Sequence, residues 1–222
     1  MKIKLVTPIL NSMEPETMQC VLDMIRTSEH KIDWRLKIGD GLISRVRNII
    51  GQEALESDCD YLLMVDDDIV WKSKENPVDK LISYGKDIAC GLYVTRALDH
   101  HPVLRSFDTQ EDLIAKKKNP KRTEIEYGLM EVVYTGTGFM LIKKDCLKKI
   151  YDNYKYPFMP MENETGEYLS EDYAFCHRAR ELDYKIYVDT TLELGHIGKQ
   201  IFSIKDYNPD YVPKTRTIIQ SK

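Results

Sequence analysis

Along the first half of the chain, short apolar runs alternate with stretches whose apolar residues recur every three or four positions. Lys2–Pro8 carries Ile3, Leu5 and Val6 and stops at a proline, which predicts a strand. Pro15–Ser28 sets Met18, Val21, Leu22 and Ile25 at helical spacing, with Pro15 suited to the first turn. Trp34–Ile38 alternates Trp34, Leu36 and Ile38 before Gly39-Asp40-Gly41, a strand followed by a turn. Leu42–Glu56 reads as a helix with Leu42, Val46, Ile49, Ile50 and Glu53 on one side. Tyr61–Val65 is a continuous apolar run between acidic residues, the mark of a parallel strand buried on both faces. Further on, the pattern predicts a short helix from Asn76-Pro77 through Tyr84 and longer ones over Lys144–Tyr154 and Glu171–Leu182. Strands are expected at Ile88–Val94, Val132–Tyr134 and Phe139–Ile142, and Tyr184–Val188 is expected to be the last.

This βαβαβ order predicts an α/β fold with a mostly parallel central sheet flanked by helices. Ligands bind such sheets beyond the carboxyl ends of the strands. The residues just after Val6, Ile38, Val65 and Tyr93 are therefore where chemistry is expected. Three polar stretches interrupt the pattern: Thr95–Tyr127, with His100-His101 and the basic run Lys116–Arg122; Tyr156–Ser170; and Ser203–Lys222. Long segments of this kind in a compact domain are either functional or disordered. The basic run reads as a solvated loop, or as a flank for an acidic or lipid-phosphate acceptor.

Composition narrows the function classes. Lys plus Arg total 32 against 36 Asp plus Glu, a net charge of −4, so there is no basic footprint for nucleic acid. No apolar run approaches the roughly 20 residues that span a bilayer, and the N-terminus turns polar by Asn11-Ser12, before a signal-peptide core could form. The five cysteines are scattered, with no CxxC spacing, which predicts reduced, mostly buried thiols and a cytoplasmic setting. The sequon Asn163-Glu164-Thr165 carries no weight in that setting.

Candidate chemistry starts at Asp66-Asp67-Asp68, directly after the buried strand. In an extended backbone Asp66 and Asp68 share a face and Asp67 points away. Converging carboxylates repel unless a hard divalent cation sits beside them; the alternative is a solvated acidic turn. Ser170-Glu171-Asp172 places an N-cap and two acids in a helix's first turn. There they either offset the helix dipole or supply an ionised general base. His196, between Gly195 and Gly198, is either structural or a third metal ligand, since imidazole joins carboxylates around manganese-like ions. Arg45 and Arg47 lie in the first turns of a helix after a Gly-rich turn, where anions are favoured. They are about 160° apart around the helix and do not grip one phosphate; snorkelling from the flanks is the alternative. Gly136 and Gly138 allow backbone to approach a ligand, or serve a bulge or tight turn.

Taken in order, these motifs resemble the GT-A fold of nucleotide-sugar glycosyltransferases, closest to small family-2-like bacterial, phage and viral members. The resemblance rests on Val6-Thr7-Pro8, Ser44–Asn48, Val65–Ile69 as the DxD motif, Thr135–Ile142, Glu171-Asp172 as the ED motif, and His196, and it covers roughly residues 1–200. It implies one catalytic domain over 1–202, with a nucleotide-binding half (1–94), an acceptor-binding half (95–202) and a tail (203–222). It further implies that Thr7 and Pro8 contact the nucleoside. Asp66 and Asp68 would serve ribose and metal, with Asp67 between them, and His196 would complete the Mn²⁺ or Mg²⁺ site. Asp172 would be the base of an inverting transfer, with Glu171 orienting the acceptor. The donor would be a nucleotide-diphosphate sugar, a UDP-sugar by preference, and the acceptor a hydroxyl of a glycan, a lipid-linked or a protein-linked molecule.

Two other readings remain at this point. A sugar nucleotidyltransferase also pairs acids around a metal, but it carries a Gly-rich basic loop after the first strand, whereas Thr7–Met13 contains no glycine. A non-catalytic sugar-binding module would keep the fold without turnover.

Overall fold

The computed structural model describes residues 1–96, 102–105, 125 and 127–198. The basic run Lys116–Arg122, His100-His101 and the tail from Ser203 lie outside the described residues. Seven strands form the central sheet: β1 (Lys2–Ile9), β2 (Lys31–Ile38), β3 (Tyr61–Val65), β5 (Ile88–Gly91), β7 (Leu129–Val132), β9 (Phe139–Lys143) and β12 (Ile186–Asp189). Their order is β2-β1-β3-β9-β5-β12-β7. β9 and β7 run against the other five strands, so the sheet is mixed but mostly parallel. Helices α1 (Pro15–Thr27), α2 (Ile43–Glu56), α3 (Pro77–Ser83), α4 (Lys144–Asn153) and α5 (Glu171–Glu181) flank it. No helix among the described residues is long and apolar enough to cross a membrane.

The alternation of side chains along β3 divides the core in two. Leu62 and Met64 face one cluster, with Val46 and Ile50 of α2, Cys146, Leu147 and Ile150 of α4 and Phe175 of α5. Leu63 and Val65 face the other, with Val21 and Met24 of α1 and Leu81 of α3. β3 is buried along its whole length, but it pairs in parallel only with β1; β9 lies antiparallel on its other side.

Two amphipathic faces differ from those the spacing predicts. In α1 the buried residues are Thr17, Val21 and Met24, while Met18 and Leu22 remain exposed. In α2 Leu42 is an exposed N-cap, and the buried set includes Ser44, Arg47 and Asn48. Of these inward polar residues, Asn48 is paired: its amide donates to Ser44 O (2.7 Å) and accepts from Phe158 N (3.2 Å). Along β2 the apolar alternation ends at solvent, since Leu36 and Ile38 lie on an edge strand and are exposed.

Four short elements complete the end of the sheet where chemistry was expected. They are β4 (Ile69–Lys72), β6 (Leu104–Arg105), β8 (Tyr134–Thr135) and β13 (Glu193–His196); β10 (Met161–Glu162) and β11 (Tyr168–Leu169) form a hairpin before α5. The chain thus has a strand after the one expected to be last. β13 lacks a hydrophobic run (Glu193-Leu194-Gly195-His196), so only its partner β4 makes it a strand. All five cysteines are free and all but Cys20 are buried.

Candidate active site

The acidic triplet begins where β3 ends. Asp66 N donates to Gly138 O (3.0 Å), which anchors the turn beside β9, and the chain reverses into β4. β4 pairs antiparallel with β13, setting His196 opposite Ile69, and Ile197 N donates to Asp68 O (2.8 Å). This two-stranded ladder delivers His196 to the triplet: its Nε2 lies 3.4 Å from Asp68 Oδ1. His196 Nδ1 lies 2.9 Å from the Val94 carbonyl. A carbonyl only accepts, so Nδ1 carries the proton and Nε2 faces the carboxylate. The Asp68 hydrogen bond raises the imidazole pKa. Burial works against the Asp68 anion, but His196 and then Arg96 outweigh it and hold Asp68 below the usual carboxylate range. Arg96 Nη1 sits 2.7 Å from the other oxygen, Asp68 Oδ2.

Asp66 belongs to a second charge group. Arg47, buried in α2, places Nη2 3.1 and 3.2 Å from the two Asp66 oxygens and Nε 3.5 Å from Glu171 Oε1. Burial works against the guanidinium charge, but the Asp66 and Glu171 charges outweigh it and push its pKa up. Glu171 is pushed up, first by burial and then by Asp172 and Asp66, with Arg47 opposing. Asp67 is half-buried and is pushed up to about 6 by burial first and by Asp68 and Asp66 next.

Asp172 stands one residue into α5. Its Oδ1 accepts from the Ser170 hydroxyl and from Tyr173 N (2.8 Å). Ser170 occupies the N-cap position, but its side chain spends its hydrogen bond on Asp172 and caps no backbone amide.

Tyr93 packs between the two charge groups. Its ring meets His196 edge-on at 5.4 Å, and its hydroxyl accepts from Gly138 N (3.1 Å). Burial first, then the Asp66 charge, drives its pKa up. Tyr93 also accounts for the two glycines: a Cβ on Gly136 would come 2.1 Å from its hydroxyl, and one on Gly138 2.8 Å from its ring. These glycines admit a side chain of the protein itself.

The remaining expected residues are dispersed. Arg45 is exposed and pairs with Asp40 (2.6 Å), away from Arg47. Thr7 is fully buried at the end of β1, where its hydroxyl accepts from Trp34 Nε1 (3.1 Å), and Pro8 follows it in the β1–β2 ladder. The ligand atoms of Asp66, Asp68 and His196 do not all lie within 4.8 Å of one another; among the described residues, Glu164, His177 and Glu181 do. Tyr93 and Arg96 were not singled out from sequence. The signal for them was their place at and just beyond the carboxyl end of a strand.

Whether a divalent cation suits this place is answered by its donors. A His–carboxylate pair with the imidazole's other nitrogen fixed on a carbonyl is the usual ligand arrangement for such ions. Buried polar atoms without hydrogen-bond partners also occur here: Arg47 Nη1, Thr95 Oγ1 and Thr137 Oγ1, while Asp66 Oδ1 and Arg47 Nε meet only their ion-pair partners. Native interiors leave few such atoms, and a polar ligand resolves them.

No family model and no curated protein sequence matches the chain. Among solved structures, A197 from STIV is similar with a TM-score of 0.62 and 21% identity, covering 90% of this chain and 87% of that one. At that identity the likeness shows a shared fold. GalNAc-T7, solved with UDP, GalNAc and Mn²⁺, aligns over 89% of this chain and 44% of its own, with 9% identity and a TM-score of 0.47. S. aureus TarS (1–349), solved with UDP-GlcNAc, aligns over 94% and 62%, with 13% identity and a TM-score of 0.45.

Proposed function

We propose that this chain is a GT-A-type, metal-dependent glycosyltransferase that moves a sugar from a nucleotide-diphosphate sugar to an acceptor hydroxyl with inversion. The observation that carries the reading is the meeting of Asp68 and His196, far apart in sequence, at 3.4 Å beyond the carboxyl end of β3. Asp68 and His196 would hold Mn²⁺ or Mg²⁺, which supplies positive charge against the departing diphosphate. Arg47, already paired with Asp66 and Glu171, would hold those two carboxylates in place beside the diphosphate. Asp66 is the residue for the ribose, and Thr7 and Pro8 close the nucleoside end of β1. At the start of α5, Asp172 takes the proton of the acceptor hydroxyl as it attacks.

Calorimetry with UDP and Mn²⁺, beside a hydrolysis screen of UDP-, GDP- and dTDP-sugars, tests the assignment. Asp68→Ala and His196→Ala should each weaken Mn²⁺-dependent UDP binding. Asp172→Asn should keep UDP binding and lose transfer. Full binding by the Asp66→Ala/Asp68→Ala double variant would refute the site.

A further inference from the structure

A second constellation lies on the opposite flank of α5, outside the site above. His177 and Glu181 are one helical turn apart, and Glu164 reaches them from the β10–β11 hairpin. His177 Nε2 lies 3.7 Å from Glu164 Oε1 and 3.8 Å from Glu181 Oε1. The His177 side chain is 9% exposed, and its Nε2 makes no hydrogen bond among the described residues. Its Nδ1 is pinned at 3.1 Å by the Tyr134 hydroxyl. Tyr154 donates to Glu181 Oε2 (2.8 Å), which turns Oε1 toward the imidazole.

These separations are too long for direct N–H···O hydrogen bonds, which run about 2.7–3.2 Å. Ligand atoms about 2.0–2.2 Å from a shared ion stand roughly 3.3–3.6 Å apart, near the spacing found here. One imidazole and two carboxylates, with hydroxyls fixing the outer atoms of His177 and Glu181, form the donor set and support of a first-row divalent ion.

We propose that Glu164, His177 and Glu181 bind a zinc-class divalent cation that ties the β10–β11 hairpin to α5, separately from the cation of the catalytic site. The competing account is a protonated imidazole shared by two carboxylates. It predicts no zinc affinity.

The test starts from the full chain carrying Asp68→Ala and His196→Ala, stripped of metal with a chelator and titrated with Zn²⁺ by calorimetry and thermal denaturation. One Zn²⁺ per chain should bind and raise Tm. Adding Glu164→Gln or Glu181→Gln, both at exposed positions, should weaken that binding at least tenfold and shrink the Tm rise, with circular dichroism confirming the fold. Absence of zinc binding in the parent, or unchanged affinity when both glutamates are replaced, would overturn the proposal. Because the catalytic ligands are already removed, the outcome is independent of the glycosyltransferase reading.

Discussion

Arg47→Met probes the charge arrangement most directly. The side chain of Arg47 is 5% exposed, with Asp66 and Glu171 25% and 18% exposed beside it. At an effective dielectric of about 20, each contact at this range is worth roughly 5 kcal/mol of Coulomb attraction. Desolvation of the guanidinium and both acids offsets much of that. Removing one partner of a buried pair nevertheless costs about 3–5 kcal/mol, because the stranded charges stay behind. For a domain of this size that is roughly 6–20 °C in Tm, a large part of a total stability of about 5–15 kcal/mol.

The loss should depend on pH in a defined direction. Burial already raises Glu171, and Arg47 is what holds it down. Without Arg47 its folded-state pKa climbs further above the unfolded value. A carboxyl raised in this way stabilises the fold below its unfolded pKa and loses that contribution as pH rises through the folded one. The variant should therefore be weakest at about pH 8 and recover toward wild type near pH 5, measured by urea unfolding across that range. Arg47→Lys should fall between the two, since it restores the charge without the planar fork. A loss below about 1 kcal/mol, or a gap that does not change with pH, would refute the argument.

Asp67→Asn should raise Tm near neutral pH, because the wild-type carboxyl is ionised there against burial and two neighbouring acids; the gain should fade as pH drops through about 6, where Asp67 takes up its proton. Gly136→Ala should destabilise by about 1–3 kcal/mol in chemical denaturation, since a Cβ there runs into the buried Tyr93 hydroxyl. Arg96→Ala should tighten Mn²⁺ binding in calorimetry, because the guanidinium on Asp68 Oδ2 competes with the cation for the same carboxylate. If affinity instead falls, Arg96 supports the site rather than guarding it.

Strong local periodicity was readable from the chain alone. β3, α2, α4 and α5 appear within a residue or two of the stretches that predict them: β3 as an unbroken apolar run, the helices from their start and stop signals and, in α2 and α4, their apolar spacing. The acidic triplet at the end of β3 was equally legible, since a buried strand and a polar break locate a carboxyl edge without any partner being known. Tertiary structure decided the rest. β13 has no pattern of its own and becomes a strand only against β4, and that pairing alone sets His196 beside Asp68. The same holds for Arg47, whose helical position was evident but whose partners Asp66 and Glu171 come from other elements. Gly136 and Gly138 serve Tyr93, a contact between segments that no local rule encodes. Secondary structure follows from interactions over a few residues and leaves its period in the sequence, whereas charge pairing and steric fit depend on which distant segments the sheet brings together.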